Sequence, residues 1–181
     1  GVLPTAWLQL MRESIRSVTP IYNTQRMVQE YSEKLYEPAA LAHARLERDN
    51  AAKAREVSQW KNRMRELWPQ VRVGEVRILN ADPVAIRVGE ALEVEARVHL
   101  GEADPESVRV QVYVGETDDA QLIHPTGVDL THAGQESNGD HIYRGAVTGG
   151  ESGAYGFSVR VIPHHPYTTQ AHELRLITWS A

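Results

Sequence analysis

The apolar residues of this chain change their period once, near Pro69, and that change limits the fold more than any other feature. Up to Trp68 they recur at spacings of three and four; from Val71 onward they recur at two. The first spacing lines one face of a helix, and the second alternates across a strand. One segment cannot satisfy both, so the spacing predicts a helical piece followed by an all-β piece. The expected class is α+β, segregated. Residues 1–68 form the helical segment, with about three helices, the last one long. Residues 69–181 form an immunoglobulin-like β-sandwich.

In the helical part, Trp7, Leu8, Met11, Ile15 and Val18 make one apolar face over 6–17, with Thr5 as the expected N-cap. Thr19-Pro20 ends that helix. Asn23 is placed to cap a second helix over about 24–36, whose stripe is Met27, Val28, Tyr31, Leu35 and Tyr36. Glu37-Pro38 interrupts, with Pro38 suited to open a third helix. That helix, at 39–67, would run about 43 Å. Its first half is rich in Ala, Arg and Glu, and reads as a solvated spacer. Its second half carries Val57, Trp60, Met64, Leu67 and Trp68. Trp60, Met64 and Trp68 are therefore expected to pack on the β part or on a second copy.

In the β part, Leu92, Val94, Ala96, Val98 and Leu100 alternate with charged residues. Val108 to Val114 and Tyr155 to Val161 repeat the pattern. Turn signals such as Asp104-Pro105 and Asn138-Gly139 separate about eight strands. They are expected at 71–80, 84–88, 91–100, 107–114, 126–132, 140–147, 154–162 and 172–179. Because these strands alternate on their own, 70–181 is expected to fold without the helices.

Charge follows the same division. Residues 1–68 hold 11 Lys plus Arg against 8 Asp plus Glu, and 69–181 hold 8 against 16. An acidic β part argues against nucleic acid, which needs clustered positive charge. No apolar run reaches the roughly 20 residues that span a bilayer, and Arg12, Glu13 and Arg16 break up the only stretch resembling a leader. The start at Gly1 suggests a chain processed or cut from a longer one. There is no cysteine, which excludes disulfides, thiolate metal sites and a thiol nucleophile and leaves the redox compartment open.

Catalytic and metal patterns are weak. His99, His124, His132, His141 and His172 are scattered, and adjacent His164-His165 point to opposite sides of an extended chain, so surface histidines are favoured over a metal site. Ser152 is not in a nucleophile elbow. Asp118-Asp119 reads as a solvated turn, and the glycines of 145–156 lack the following helix of a phosphate cradle. Arg45, Arg48, Arg55 and Arg63 are interleaved with acids, as on an ion-paired helix face. Aromatic residues remain. Tyr113 falls on the wet side of its strand and Trp179 near the end of the last, so a platform for stacking sugar rings competes with a face hidden by packing.

The stretch Pro20-Ile21-Tyr22-Asn23-Thr24-Gln25-Arg26-Met27-Val28, with Tyr31 and Leu35-Tyr36-Glu37-Pro38-Ala39 behind it, resembles the C-terminal helix of α-glucan (glycogen and maltodextrin) phosphorylases. Trp7-Leu8, Met11 and Ser14-Ile15-Arg16 resemble the helix before it. Tyr155-Gly156-Phe157 through His164-His165-Pro166 resembles the end of the longer bacterial and archaeal chains, and Asn23-Thr24-Gln25 fits that branch. The resemblance implies a parent of two Rossmann-like domains, cytoplasmic, that cleaves α-1,4-glucan with phosphate to release glucose 1-phosphate. It uses pyridoxal phosphate held by a lysine. Lys34, Lys53 and Lys61 lie on expected helix surfaces, outside any cofactor motif, so the resemblance implies a C-terminal part with no cofactor or catalytic residue of its own. Its expected domain-docking residues are Trp7, Met11, Ile15, Tyr22, Arg26, Tyr31 and Tyr36, and its partner is the rest of the parent enzyme. Alpha-glucan and self-association are further candidate partners; nucleic acid, membrane and metal are not expected. The alternative is a free-standing carbohydrate-binding or oligomerisation module.

Overall fold

The computed structural model describes residues 4–80, 91–118, 121–148 and 154–180. It divides into two compact units, Gly1–Ala54 and Arg55–Ala181.

In the first unit, α1 spans Thr5–Val18 and α2 spans Thr24–Tyr31. Thr5 is the first helical residue and not the cap; Pro4 holds that place, without a side-chain bond. Asn23 does cap α2. Its Oδ1 accepts from the Arg26 N–H at 2.7 Å, while its Nδ2 donates to the carbonyls of Thr19 and Pro20, both at 3.1 Å. One side chain thus fixes the turn between α1 and α2.

The expected stop at Glu37-Pro38 does not occur. The chain passes from α2 through a π-helical turn, Ser32–Tyr36, directly into α3, Glu37–Leu67. Pro38 lacks an N–H, and its ring would press on the carbonyl of Lys34 four residues back. The wider turn contains Lys34 and closes with the Glu37 N–H donating to the Ser32 carbonyl, which eases that crowding.

The long third helix is also not continuous. Arg48 is extended (ψ 152°), and Asp49, Asn50 and Ala51 are left-handed, with φ between 54° and 58°. Asp and Asn tolerate this conformation better than other side chains, because their short polar groups bond locally. The break lies just before the boundary between the two units.

In the second unit, the end of α3 and a short 3-10 turn, Trp68–Gln70, precede antiparallel strands, seven among the described residues. These are β1 Arg72–Ile78, β2 Ala91–His99, β3 Val108–Asp118, β4 Gln121–Gln135, β5 His141–Thr148, β6 Tyr155–Pro163 and β7 Thr178–Trp179. The order across the sheet is β1-β2-β5-β4-β3-β6-β7. Strand β4 is shared: Gln121 to Leu130 pair with β3, and Thr131 to Gln135 pair with β5. A bulge between His132 and Gly134 marks the second pairing, and such irregularities bend a strand. The first strand approaches β6 and β7, so the sheet curls nearly into a barrel.

The strand expected at 84–88 lies outside the described residues. The one expected at 172–179 shrinks to Thr178–Trp179. The segment before it makes turns, with the Arg175 N–H bonded to the His172 carbonyl and Arg175 at φ 57°.

The core follows the alternation. Val94, Ala96, Val98 and Leu100 meet Val110, Val112, Val159 and Val161, all at most 1% exposed. Met64, Leu67, Trp68 and Val71 belong to the same cluster, and Trp60 packs against it. The apolar stripe of late α3 therefore packs on the β part, as its spacing predicts. The helix thus supplies part of the core of this unit, a contribution that the expectation for 70–181 leaves out. Gly101 shapes the turn after β2: φ is +59°, and a Cβ there would lie 2.3 Å from the Gln70 Oε1, so only glycine fits without strain.

Candidate functional site

The seven expected docking residues all lie in the first unit. Trp7, Met11 and Ile15 stand on one side of α1, where with Leu10 and Ser14 they line an open groove of about 270 Å³. Tyr22 lies between the helices. Tyr31 and Tyr36 meet edge to face, with ring centroids 6.4 Å apart. The six apolar and aromatic side chains are 45–74% exposed. Arg26 pairs with Glu30 one turn on.

The wet face of β4-β3-β6-β7 carries a more closely knit group. Asp129, Gln111, Arg160 and Trp179 are directly opposite one another in register on four successive strands. Side chains at such positions touch. Gln111 donates to Asp129 at 2.6 Å and accepts from the Arg160 Nε at 2.9 Å. The Arg160 guanidinium then lies over the Tyr113 ring, 4.3 Å from its centroid, and 5.6 Å from that of Trp179. Tyr113 and Trp179 meet edge to face at 5.3 Å. Gly127 makes this possible: a Cβ there would come within 3.1 Å of both the Arg160 Nη2 and the Gln111 Oε1. Arg109 reaches Asp129 at 3.3 Å, so cation and anion offset one another at this end. Trp179 remains 43% exposed.

Tyr113 is visible in the sequence as a wet-side aromatic and Trp179 as one near the end of the last strand, and the fold brings them together. Arg160, Gln111 and Asp129 carry no such signal. Alternation marks Arg109, Gln111 and Arg160 as outward-facing, but nothing local shows that β3, β6 and β7 are neighbours.

The histidines behave differently from their sequence reading in one respect. The hairpin of β4 and β5 brings His132 Nε2 within 3.0 Å of His141 Nδ1. Burial, and then the charge of His132, hold the His141 imidazole below its usual range. His164 is also lowered, by burial and by the Arg109 guanidinium, whose Nη2 lies 3.3 Å from its Nδ1. Among the described residues no three His, Asp or Glu side chains are grouped to hold a metal. The expectation for Ser152 falls outside the described residues.

Pyridoxal phosphate does not fit this chain's lysines. An aldehyde cofactor needs a lysine amine in an enclosed site. Lys34 lies on an exposed helical turn beside Glu30, and Lys61 is paired with Glu173 across α3 and the loop before β7. Lys53 sits on α3. None of the three lysines lines the grooves found among the described residues on α1, at the β3-β4 end or beside Phe157.

These features define a class: an antiparallel β domain buttressed by one helix, preceded by a separate helical unit, with a polar and aromatic outer face. More particularly, the chain belongs to the glycogen phosphorylase C-terminal domain family, whose family model matches residues 68–181. Over 177 residues it is 29% identical to a glycogen phosphorylase of Mycobacterium bovis, covering 97% of this chain and 20% of the relative. It is equally similar to a glycogen phosphorylase of Mycobacterium tuberculosis. A maltodextrin phosphorylase of Thermococcus litoralis is 31% identical over 177 residues, covering 96% of this chain and 20% of that relative. The chain thus spans a fifth of these relatives' length, and the matches include both units.

Proposed function

We propose that this chain is the non-catalytic C-terminal part of a cytoplasmic α-glucan phosphorylase, a glycosyltransferase that as a whole cleaves α-1,4-glucan with phosphate and uses pyridoxal phosphate. The observation that carries the reading is a similarity that runs through both units, and not through the β unit alone. A free-standing β module would have no use for the first unit. In this reading 1–68 is the helical segment that closes the parent's second Rossmann-like domain, and 69–181 is an accessory module. Its curled sheet, with β4 shared between two sets of strands, is read as an immunoglobulin-like sandwich. Trp7, Met11, Ile15, Tyr22, Tyr31 and Tyr36 bury their exposed surfaces on the parent, and Arg26 exchanges Glu30 for carbonyls or a carboxylate there.

Co-expression with the upstream region of the parent gene tests this. The two pieces should co-purify, and Trp7→Asp with Met11→Asp should abolish the association while leaving the β unit folded. The chain alone should release no glucose 1-phosphate from glycogen and phosphate, with or without pyridoxal phosphate. Either product formation by the chain alone, or failure of the pieces to associate, would refute the proposal.

A further inference from the structure

We propose that the outer face of β4-β3-β6-β7 is a docking surface for an α-1,4-glucan chain, with Trp179 as the stacking platform, Arg160 and Asp129 as the hydroxyl-binding groups, and the buried Gln111 amide holding those two in place. The ligand class rests on the phosphorylase reading above; the place rests on geometry.

A pyranose ring offers an apolar C–H face and a rim of hydroxyls that both donate and accept. A partner needs an exposed ring face beside groups of both hydrogen-bonding senses. The row across the four strands supplies that combination. Trp179 gives the ring, 43% exposed on the last strand. Arg160 brings N–H donors against it, Asp129 brings carboxylate oxygens, and Gln111 joins the two through both ends of its amide.

The group is also held before any ligand arrives. The Tyr113 ring supports the guanidinium from one side, and the Gln111 oxygen fixes its Nε. Fixed side chains lose little freedom on binding. The charges favour a neutral ligand over an ionic one. Asp129 stands between Gln111 and Arg109, so a phosphate or carboxylate approaching Arg160 meets an anion two strands away. An apolar protein surface would have to strip water from Arg160 and Asp129 without replacing their bonds.

The full chain should be run through native gels containing glycogen, hydroxyethylcellulose or no polymer, and titrated with maltoheptaose while its tryptophan fluorescence is followed. Glycogen should retard the chain, hydroxyethylcellulose should not, and maltoheptaose should give a saturable change. Trp179→Ala should weaken the retardation by about tenfold or more, as loss of a stacking ring does. Asp129→Ala removes an exposed side chain, so it serves as a second variant that does not endanger the fold, and it should weaken binding in the same direction. Three outcomes would each overturn the site: no retardation of the unaltered chain, equal retardation by both polymers, or unchanged binding in both variants. A chain that associates with its upstream partner and yet runs unretarded would overturn the glucan surface and leave the phosphorylase reading standing.

Discussion

The Tyr143 ring is buried on the core side of β5, and its hydroxyl has no hydrogen-bond partner among the described residues. Burial, with the nearby Asp104 charge, pushes its ionisation up to about 12. An unpaired buried hydroxyl costs about 1–3 kcal/mol relative to a paired one. Tyr143→Phe should therefore leave the urea midpoint unchanged or raise stability by about 1 kcal/mol, and a clear loss would reveal a partner for the hydroxyl. The neighbouring His141 is a liability in acid. Its folded pKa is lowered from the ordinary 6.5 by burial and by His132, against the opposing pull of Asp140 and Asp104. The unfolded chain then binds the proton more readily, so stability is complete above about pH 6.5 and falls as pH drops through the lowered folded value. His164 acts in the same direction. Urea midpoints at pH 7.5 and 5.5 should show the loss. His141→Gln, which keeps a hydrogen-bonding group beside His132, should shrink it. An equal loss in this variant would assign the effect elsewhere.

Late α3 shows why an element can be read correctly and its consequence missed. The stripe of Val57, Trp60, Met64, Leu67 and Trp68 is legible because helical spacing is local, and the structure buries Met64 to 2%. What spacing cannot show is that the strands have no complete core without that stripe. Burying each large apolar side chain is worth about 1.5–3 kcal/mol, so losing Met64, Leu67 and Trp68 removes much of the 5–15 kcal/mol of a typical domain. Residues 55–181 should unfold in one cooperative urea transition followed by circular dichroism. Residues 70–181 should show a lower midpoint and a broader transition, and equal midpoints would return the core to the strands alone. Other elements are illegible for equally physical reasons. The π turn answers a clash between Pro38 and a carbonyl four residues back, and the break at Arg48–Ala51 needs backbone angles that Asp49-Asn50 permit but do not require. Of the candidate glucan face, alternation discloses which side each residue takes. The register that aligns Asp129, Gln111, Arg160 and Trp179 is a long-range property of strand order.

At the scale of the whole chain, the two units differ in how they are stabilised. The second has a continuous core, whereas α1 and α2 contain no buried residue. Isolated helices shorter than about 12–15 residues are marginal in water; α1 has 14, and α2 is prolonged only through the π turn into the early, exposed part of α3. The Asn23 cap and ion pairs such as Arg16–Glu13 and Arg26–Glu30 are exposed, and each such contact contributes about 1 kcal/mol or less. Covering Trp7, Leu10, Met11, Ile15 and Tyr22 would contribute more than all of these together, because the hydrophobic term scales with the area removed from water. In the proposed parent that cover is the upstream domain. In the free chain the available cover is a second copy, so the chain should self-associate through α1 and α2. Light scattering should give a mass that rises above the monomer with concentration, with helical dichroism at 222 nm rising in parallel. Trp7→Glu with Ile15→Glu should hold the chain monomeric and lower that helical signal, while the urea transition of the β unit stays in place. A chain that is monomeric across the whole concentration range, with its full helical signal intact, would show that α1 and α2 are stable without any cover.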